Sequence, residues 1–186
     1  MRELTGRDAR GVLLICLDLQ RANLNDEPVS WRVQDRAAAC ERLLAFARRA
    51  GWDIVHSHRV READGRDDAP IPGFEPLPNE PVYFRHATSA LSNPRLAEMV
   101  HGAREGEVLV AGFDLRTSGV ATALDAFNQG LRLTLVKDAV WAAPREGAQA
   151  ASEHALWDVV APFAHVAGVE SVLAETAQPL PVANDA

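Results

Sequence analysis

Short apolar runs alternate with longer amphipathic segments along this chain, and the alternation limits the folds open to it. The run from Val12 to Leu17 is apolar at every position, which is typical of a strand buried on both faces of a sheet. Similar short runs begin at Trp52, Val82 and Glu107. Segments with apolar residues at helical spacing separate them. Repeated strand–helix–strand units predict an α/β fold, with a parallel sheet covered by helices on both faces.

The predicted elements follow from periodicity and from helix start and stop signals. The predicted helices cover 34–50, 94–100, 117–129 and 148–161. The predicted strands cover 12–17, 52–58, 82–84, 107–112, 131–136 and, as a last edge strand, 169–173. Residues 61–81 contain five prolines, so we expect a long irregular loop that walls or covers a ligand site. The tail from Ala177 is polar and Pro-rich, and we expect it to be loose.

Composition excludes several classes of function. The chain has 19 basic and 26 acidic residues among 186, a net charge of −7, which argues against binding nucleic acid or an anionic membrane surface. Cys16 and Cys40 are too few for a disulfide framework, and neither has a neighbour at metal-ligand spacing. The N-terminus carries charge where a signal peptide would be apolar. We therefore expect one cytoplasmic domain over 1–186, with its core at about 11–173.

In a sheet of this kind, ligands bind beyond the carboxyl ends of the strands. Asp18 ends the fully apolar first strand, where an ionisable group is costly to bury unless it is paired or working; capping of a turn is an equally good interpretation. Arg85 follows the strand at 82–84 and is a permanent cation able to hold a carboxylate, although a solvated loop arginine is the ordinary case. Thr117 and Ser118 start a predicted helix, where they suit either an anion site or plain N-caps.

Cofactor and metal signals are weak. The glycine-rich motifs that bind dinucleotides or cradle phosphates do not occur, so no cofactor is expected. His56 and His58 lie two apart on a predicted strand and so share a face, which is half of a metal site. No third ligand has suggestive spacing, and a structural role for both histidines is the better interpretation. We expect no metal.

Four segments of the sequence have a characteristic order and spacing. They are Leu17 to Gln20 (LDLQ), Arg85 to Leu91 (RHATSAL), Gly112 to Ala126 (GFDLRTSGVATALDA) and Val136 to Ala139 (VKDA). Together they resemble the isochorismatase-like (cysteine hydrolase) family. The resemblance runs from about residue 11 to 173 and implies a three-layer α/β/α sandwich around a mainly parallel sheet of about six strands. It also implies assembly as a homodimer or homotetramer.

The family's usual catalytic trio is an aspartate, a lysine and a cysteine. By the resemblance, these positions fall on Asp18, Arg85 and Ser118. Two of the three residue types differ from the family's pattern. The same segments supply the expected substrate-binding residues, which are Gln20, His86, Phe113, Asp114 and Gly119.

These departures change the chemistry that the resemblance implies. A serine is a far weaker acid than a thiol, so it needs a general base during attack; Asp18 qualifies only if it lies within hydrogen-bond reach of Ser118. Arg85 keeps its proton and cannot shuttle one. In isochorismatases proper, which do without the cysteine, the aspartate instead protonates a vinyl ether. The metal ligands of nicotinamidases would fall near Arg59 and Arg61, which cannot coordinate a metal.

The sequence therefore predicts a hydrolase that acts on a small, anionic metabolite, at a vinyl ether or C–N bond, without a catalytic cysteine. Asp18 is the expected acid or base, Arg85 the substrate anchor, and Ser118 a weak nucleophile or water-positioning group. The alternative is a catalytically silent member that binds a small carboxylate or serves assembly. A further alternative uses His86 or His56 as the base.

Overall fold

The computed structural model describes residues 11–24, 31–60, 68–103, 106–141 and 151–176. In chain order, the strands and α-helices are β1 (Val12–Leu17), α1 (Trp31–Ala50), β2 (Asp53–Arg59), β3 (Val82–Arg85), α2 (Pro94–Gly102), β4 (Glu107–Gly112), α3 (Val120–Asn128), β5 (Thr134–Val140), α4 (Ala151–Val160), β6 (His165–Ala167) and α5 (Val169–Thr176). The six strands form one parallel sheet in the order β3-β2-β1-β4-β5-β6.

Strand β1 lies in the middle of this sheet, between β2 and β4. Its side chains alternate between two apolar clusters, with Leu13, Ile15 and Leu17 in one and Leu14 and Cys16 in the other. The first cluster includes residues of α2, α3 and α4, and the second includes residues of α1 and α5. The continuous apolar run is explained by burial on both faces, and the predicted three-layer α/β/α sandwich is confirmed.

Gly112 shapes the carboxyl end of β4, where the chain turns beside β1. Its φ angle is +118°, and a Cβ placed there would lie 2.1 Å from the Leu17 carbonyl oxygen, so a side chain cannot be accommodated. The next amide, that of Phe113, donates to the same oxygen at 2.7 Å. This close approach brings the segment after β4 directly alongside Asp18.

The sheet edge differs from the sequence prediction. Residues 169–173, predicted as a strand, belong to helix α5, so that prediction is wrong. Val169 and Val172 are buried at helical spacing, and Asp138 Oδ1 accepts a hydrogen bond from the Val169 amide at the helix start. The edge strand is β6, whose three residues are too few for a sequence pattern to reveal.

The fifth strand begins and ends later in the chain than the sequence predicts. The strand predicted over 131–136 is β5, which begins at Thr134 and continues through Lys137 and Asp138 to Val140, where it pairs with Gly112. The apolar pattern missed this part because Lys137 and Asp138 interrupt it while the backbone pairing goes on. The start of α2 was predicted correctly: the Asn93 side chain accepts from two amides of the first turn.

The part of the chain that the structure describes contains no helix long and apolar enough to cross a membrane. Residues 61–67, 142–150 and 177–186 lie outside the described residues, so parts of the predicted loop and fourth helix, and all of the predicted loose tail, are not described. The single-domain organisation, the cytoplasmic location and the oligomeric state stay predictions.

Candidate active site

Asp18 follows β1 directly and is 2% exposed. Its φ angle is +50°, in the left-handed region that residues other than glycine seldom adopt. The Asp18 amide donates to the Ser57 carbonyl oxygen at 2.9 Å. The Asp18 carbonyl oxygen accepts from the Gln20 amide and from the Asn23 side chain. A disfavoured backbone conformation persists only where its surroundings hold it, and such residues concentrate at functional sites.

Asp18, Arg85 and Ser118 meet in a hydrogen-bonded triangle, called the buried triad below. Arg85 Nη2 donates to Asp18 Oδ2 at 2.8 Å and to Ser118 Oγ at 3.1 Å. Ser118 Oγ donates to the same Asp18 Oδ2 at 2.6 Å. None of the three residues is more than 4% exposed. The fold thus brings together the three positions that the sequence aligns with the family's catalytic trio, although they are far apart in the chain.

Both oxygens of the Asp18 carboxyl group accept hydrogen bonds. Oδ2 accepts from Arg85 and Ser118, and Oδ1 accepts from the backbone N–H of Arg59 at 3.0 Å. The Ser118 hydroxyl is therefore within the reach that a general base requires, which was the condition set by the sequence.

Arg85 has donor capacity to spare. Its Nε and Nη1 atoms are buried, and neither has a hydrogen-bond partner among the described residues. A buried N–H group without a partner costs about 1–3 kcal/mol, and more on a charged group. An anion or a carbonyl oxygen placed against these atoms would remove that cost. The free donors of Arg85 therefore mark the triad as a place where a ligand can bind.

Ser118 lies in a single π-helical turn, Leu115–Gly119, which precedes α3. The sequence predicted a helix from Thr117; instead α3 begins at Val120, and of the two roles left open for Ser118, its side chain bonds Asp18 rather than capping the helix. Single π-helical turns are frequent at functional sites. Asp114 stabilises the start of the turn, because its side chain accepts a hydrogen bond from the Arg116 amide. Burial raises the pKa of the Asp114 carboxyl group.

The remaining predicted substrate-binding residues differ in their environments. His86 is exposed. Phe113 is buried, and its ring stacks on Trp141 with centroids 4.3 Å apart. Gly119 is buried within the π-helical turn. The Gln20 side chain is also buried and bonds backbone groups of neighbouring segments. Substrate contact by these residues and by Asp114 stays a prediction.

Both cysteines of the chain lie in the core and outside the triad. Cys16 belongs to β1 and Cys40 to α1, and each is 1% exposed. Burial raises the pKa of the Cys16 thiol well above its ordinary range and that of Cys40 to about 12. Because the thiolate is the reactive form, neither residue is suited to act as a nucleophile.

Sequence reasoning missed a second buried polar cluster, centred on Glu80. The Glu80 carboxylate accepts from Arg48 Nε and Nη2 at 2.8 and 2.9 Å and from the Leu77 amide, and lies 3.0 Å from His56 Nε2. Burial opposes its ionisation, but the bonds from Arg48, Leu77 and His56 outweigh burial and lower the pKa of Glu80 to about 2. Nothing in the local pattern separates Glu80 from Glu75, an exposed acidic residue of the same loop.

His56 and His58 do share a face of β2, as their spacing predicts, with ring centroids 6.0 Å apart. Burial lowers the pKa of both histidines. The pKa of His58 falls to about 4, because burial is joined by repulsion from the neighbouring His56. Within the described ranges, no group of three or more His, Cys, Asp or Glu side chains could hold a metal ion.

These buried groups predict a loss of stability in acid. His58 gains its proton more readily in the unfolded chain, so its contribution is complete above pH 6.5 and is lost as the pH falls towards 4. The contribution of Glu80 is lost in turn between about pH 4.5 and 2. We expect the free energy of unfolding, measured with urea, to fall by on the order of 2–3 kcal/mol between pH 6.5 and 4. His58→Gln should flatten that decline, whereas substitution of the exposed His154 should leave it unchanged; equal slopes would contradict the prediction.

A comparison with protein-family models shows that residues 12–171 match the isochorismatase domain. An isochorismatase from Pseudomonas putida KT2440 has a similar structure, with 29% identity and a TM-score of 0.75 over 87% of this chain and 90% of that one. A hydrolase of the isochorismatase family from Chromobacterium violaceum is 22% identical, with a TM-score of 0.76 over 95% of this chain and 98% of that one. N-carbamoylsarcosine amidase from Thermoplasma acidophilum is 19% identical, with a TM-score of 0.69 over 86% of this chain and 97% of that one. The last two show likeness of fold alone. No curated protein sequence matches significantly.

Proposed function

Since the chain belongs to the isochorismatase family, we propose that it is a hydrolase that acts on a small anionic metabolite without a catalytic cysteine. The observation that carries this proposal is the 2.6 Å hydrogen bond from Ser118 Oγ to Asp18 Oδ2. It pairs a nucleophile with a base at the strand ends, where ligands of such sheets bind. The two cysteines, buried in the core, offer no competing nucleophile.

In the proposed reaction, Ser118 Oγ attacks the carbonyl carbon of a C–N bond and its proton passes to Asp18. The tetrahedral intermediate then collapses as Asp18 returns the proton to the leaving nitrogen, which departs as an amine. Water attacks the resulting ester, giving its proton to Asp18, which passes it back to Ser118 as the acid is released. The first and last proton transfers use the Ser118–Asp18 hydrogen bond, and the other two run between Asp18 and the leaving nitrogen or the attacking water.

Arg85 supports an anionic substrate. Its Nη2 holds Asp18 and Ser118 in place, while its unpartnered Nε and Nη1 atoms remain for a substrate carboxylate or for the oxyanion of the intermediate. Asp18 offsets the charge of Arg85 at Nη2, so attraction for an anionic substrate rests on the unpartnered Nε and Nη1 donors. A carboxylate that accepts from both atoms is the substrate group that these donors fit best.

The geometry favours cleavage of a C–N bond over that of a vinyl ether. Protonation of a vinyl ether needs Asp18 to donate a proton, whereas its carboxyl oxygens here accept from three donors, as those of a base do. The structural neighbour described as an isochorismatase nevertheless keeps the vinyl ether reaction as the second candidate. The two reactions differ in product, since one releases an amine and the other releases pyruvate.

A hydrolysis panel tests the proposal. Isochorismate and a series of small amides and ureides with and without a carboxylate are incubated with the purified protein and with Asp18→Asn. We expect release of amine or ammonia from a carboxylate-bearing amide or ureide by the native protein alone. Turnover that survives in Asp18→Asn, or absence of turnover across the panel, would contradict the assignment.

The binding-only alternative has one observation in its favour. Arg85 and Asp18 already form a closed, buried ion pair with Ser118 bonded to both, an arrangement that is stable without any reaction. In that case, the residue changes at 85 and 118 have removed the thiol chemistry of the family.

Restoring the family's residues tests this alternative. We expect the double substitution Arg85→Lys with Ser118→Cys to give a thiol that iodoacetamide labels at lower pH than an unactivated thiol, because a cation and a helix N-terminus favour the thiolate. Ser92→Cys, at the exposed end of the 3₁₀ helix Ala90–Ser92, supplies the unactivated reference. The native protein should label slowly, since Cys16 and Cys40 are buried; rapid native labelling would instead reveal a displaced nucleophile.

A further inference from the structure

Gln20 pairs with the backbone of Arg59 on both sides of that residue. Its Oε1 accepts from the Arg59 amide at 3.0 Å, and its Nε2 donates to the Arg59 carbonyl oxygen at 3.1 Å. The side-chain amide therefore acts as a neighbouring strand would, at the point where β2 ends. Gln20 is 2% exposed, so these bonds are shielded from water.

The Arg59 amide also serves Asp18. The same N–H that Gln20 Oε1 accepts is directed at Asp18 Oδ1, likewise at 3.0 Å. The Gln20 backbone adds a second link, because its amide donates to the Asp18 carbonyl oxygen at 2.7 Å. Gln20 thus contacts both the strained backbone of Asp18 and the donor that orients its carboxylate.

The same side chain also holds the loop before β3. Gln20 Nε2 donates to the Asp68 carbonyl oxygen at 3.2 Å, and Gln20 forms an isolated antiparallel bridge with Pro70. Backbone bonds from Arg21 to Ala69 and from Ile71 to Leu19 lie beside this contact. Both hydrogens of Nε2 are consequently engaged by protein carbonyl groups.

We propose that Gln20 is a positioning residue for Asp18 and does not contact substrate. It holds the end of β2 so that the Arg59 amide faces the Asp18 carboxylate, and it ties the 68–71 loop to the same point. The inference rests on the proposed function of Asp18 as the base. It revises the substrate-binding role expected for Gln20, because its two donors and its acceptor are committed to the backbone.

Gln20→Met tests the proposal, because methionine keeps the volume of the side chain and removes its hydrogen bonds. In the variant we expect the Arg59 amide to exchange with solvent at least about tenfold faster, and the carboxyl-carbon resonance of Asp18 to shift. For the substrate found in the panel, kcat should fall about tenfold or more, while KM stays within about twofold of the native value. The reason is that a displaced base stabilises the transition state less and affects substrate binding little. Gln129→Met, at the exposed end of α3, should match the native protein in every measurement.

Two results would overturn the inference. One is an Arg59 exchange rate and an Asp18 resonance that both match the native values in Gln20→Met. The other is a rise in KM at unchanged kcat, which would mean that Gln20 binds substrate. If Gln20→Met fails to fold, Gln20→Glu replaces it: it keeps the acceptor for the Arg59 amide and loses both donors, so faster exchange in the 68–71 loop is expected there. A native protein without turnover defeats the proposed function, while exchange and resonance still decide the role of Gln20.

Discussion

Replacing Asp18 with asparagine is expected to lower kcat by about 10³-fold or more, within the range by which general acid–base groups contribute to catalysis. The substitution keeps the size and shape of the side chain. It removes the negative charge and replaces one carboxylate oxygen with an NH₂ group, which cannot accept the Ser118 proton. An NH₂ group at the Oδ2 position would face the Arg85 donor, and the Ser118 hydroxyl would then accept from it instead of donating to a base.

The measurement needs a control of the same chemical type. Asp53→Asn makes the same change at the exposed amino end of β2, whereas Asp18 follows the carboxyl end of β1, and it should leave kcat at the native value. Circular dichroism should show native secondary structure for both variants. A loss of less than about tenfold in Asp18→Asn would mean that Asp18 is not the base.

Much of the fold follows from the sequence, because the local patterns and the global arrangement agree. A strand apolar at every position, such as β1, has few stable locations other than the middle of a covered parallel sheet. The Asn93–Pro94 pair determines the start of α2 locally, through a cap that needs no tertiary partner. Predictions from a fully apolar strand and from a local helix cap are therefore confirmed by the structure.

Predictions failed where tertiary contacts decide the outcome. Val169 to Leu173 is apolar enough for a strand, but Asp138 caps it and both valines reach the core only as a helix. For Ser118 the sequence left both an N-cap and a catalytic role open, and the structure shows that its hydroxyl bonds Asp18. Sequence order through the family resemblance identified the triad positions, whereas the donors and acceptors among them became visible only in three dimensions.

Removing the guanidinium of Arg85 is expected to have the largest effect on stability. Arg85→Met should lower the free energy of unfolding by about 3–5 kcal/mol at neutral pH, because it leaves the buried carboxylate of Asp18 without its cation. Ser118 and the Arg59 amide still donate to Asp18, but neither carries a charge. Urea unfolding measures the loss, and Arg95→Met, at an exposed position on α2, should change stability by less than about 0.5 kcal/mol.

The double variant with Asp18→Asn separates the ion pair from mere packing. If the loss in Arg85→Met comes from an uncompensated charge, removal of that charge should restore part of the stability, so the two effects fall short of their sum by about 1–3 kcal/mol. Additive effects would mean that Arg85 stabilises the fold through its packing alone.

The unpartnered Nε and Nη1 atoms of Arg85 make the native ion pair less favourable than a fully hydrogen-bonded one. A small carboxylate that binds there should accordingly raise the melting temperature of the native protein and not that of Arg85→Met.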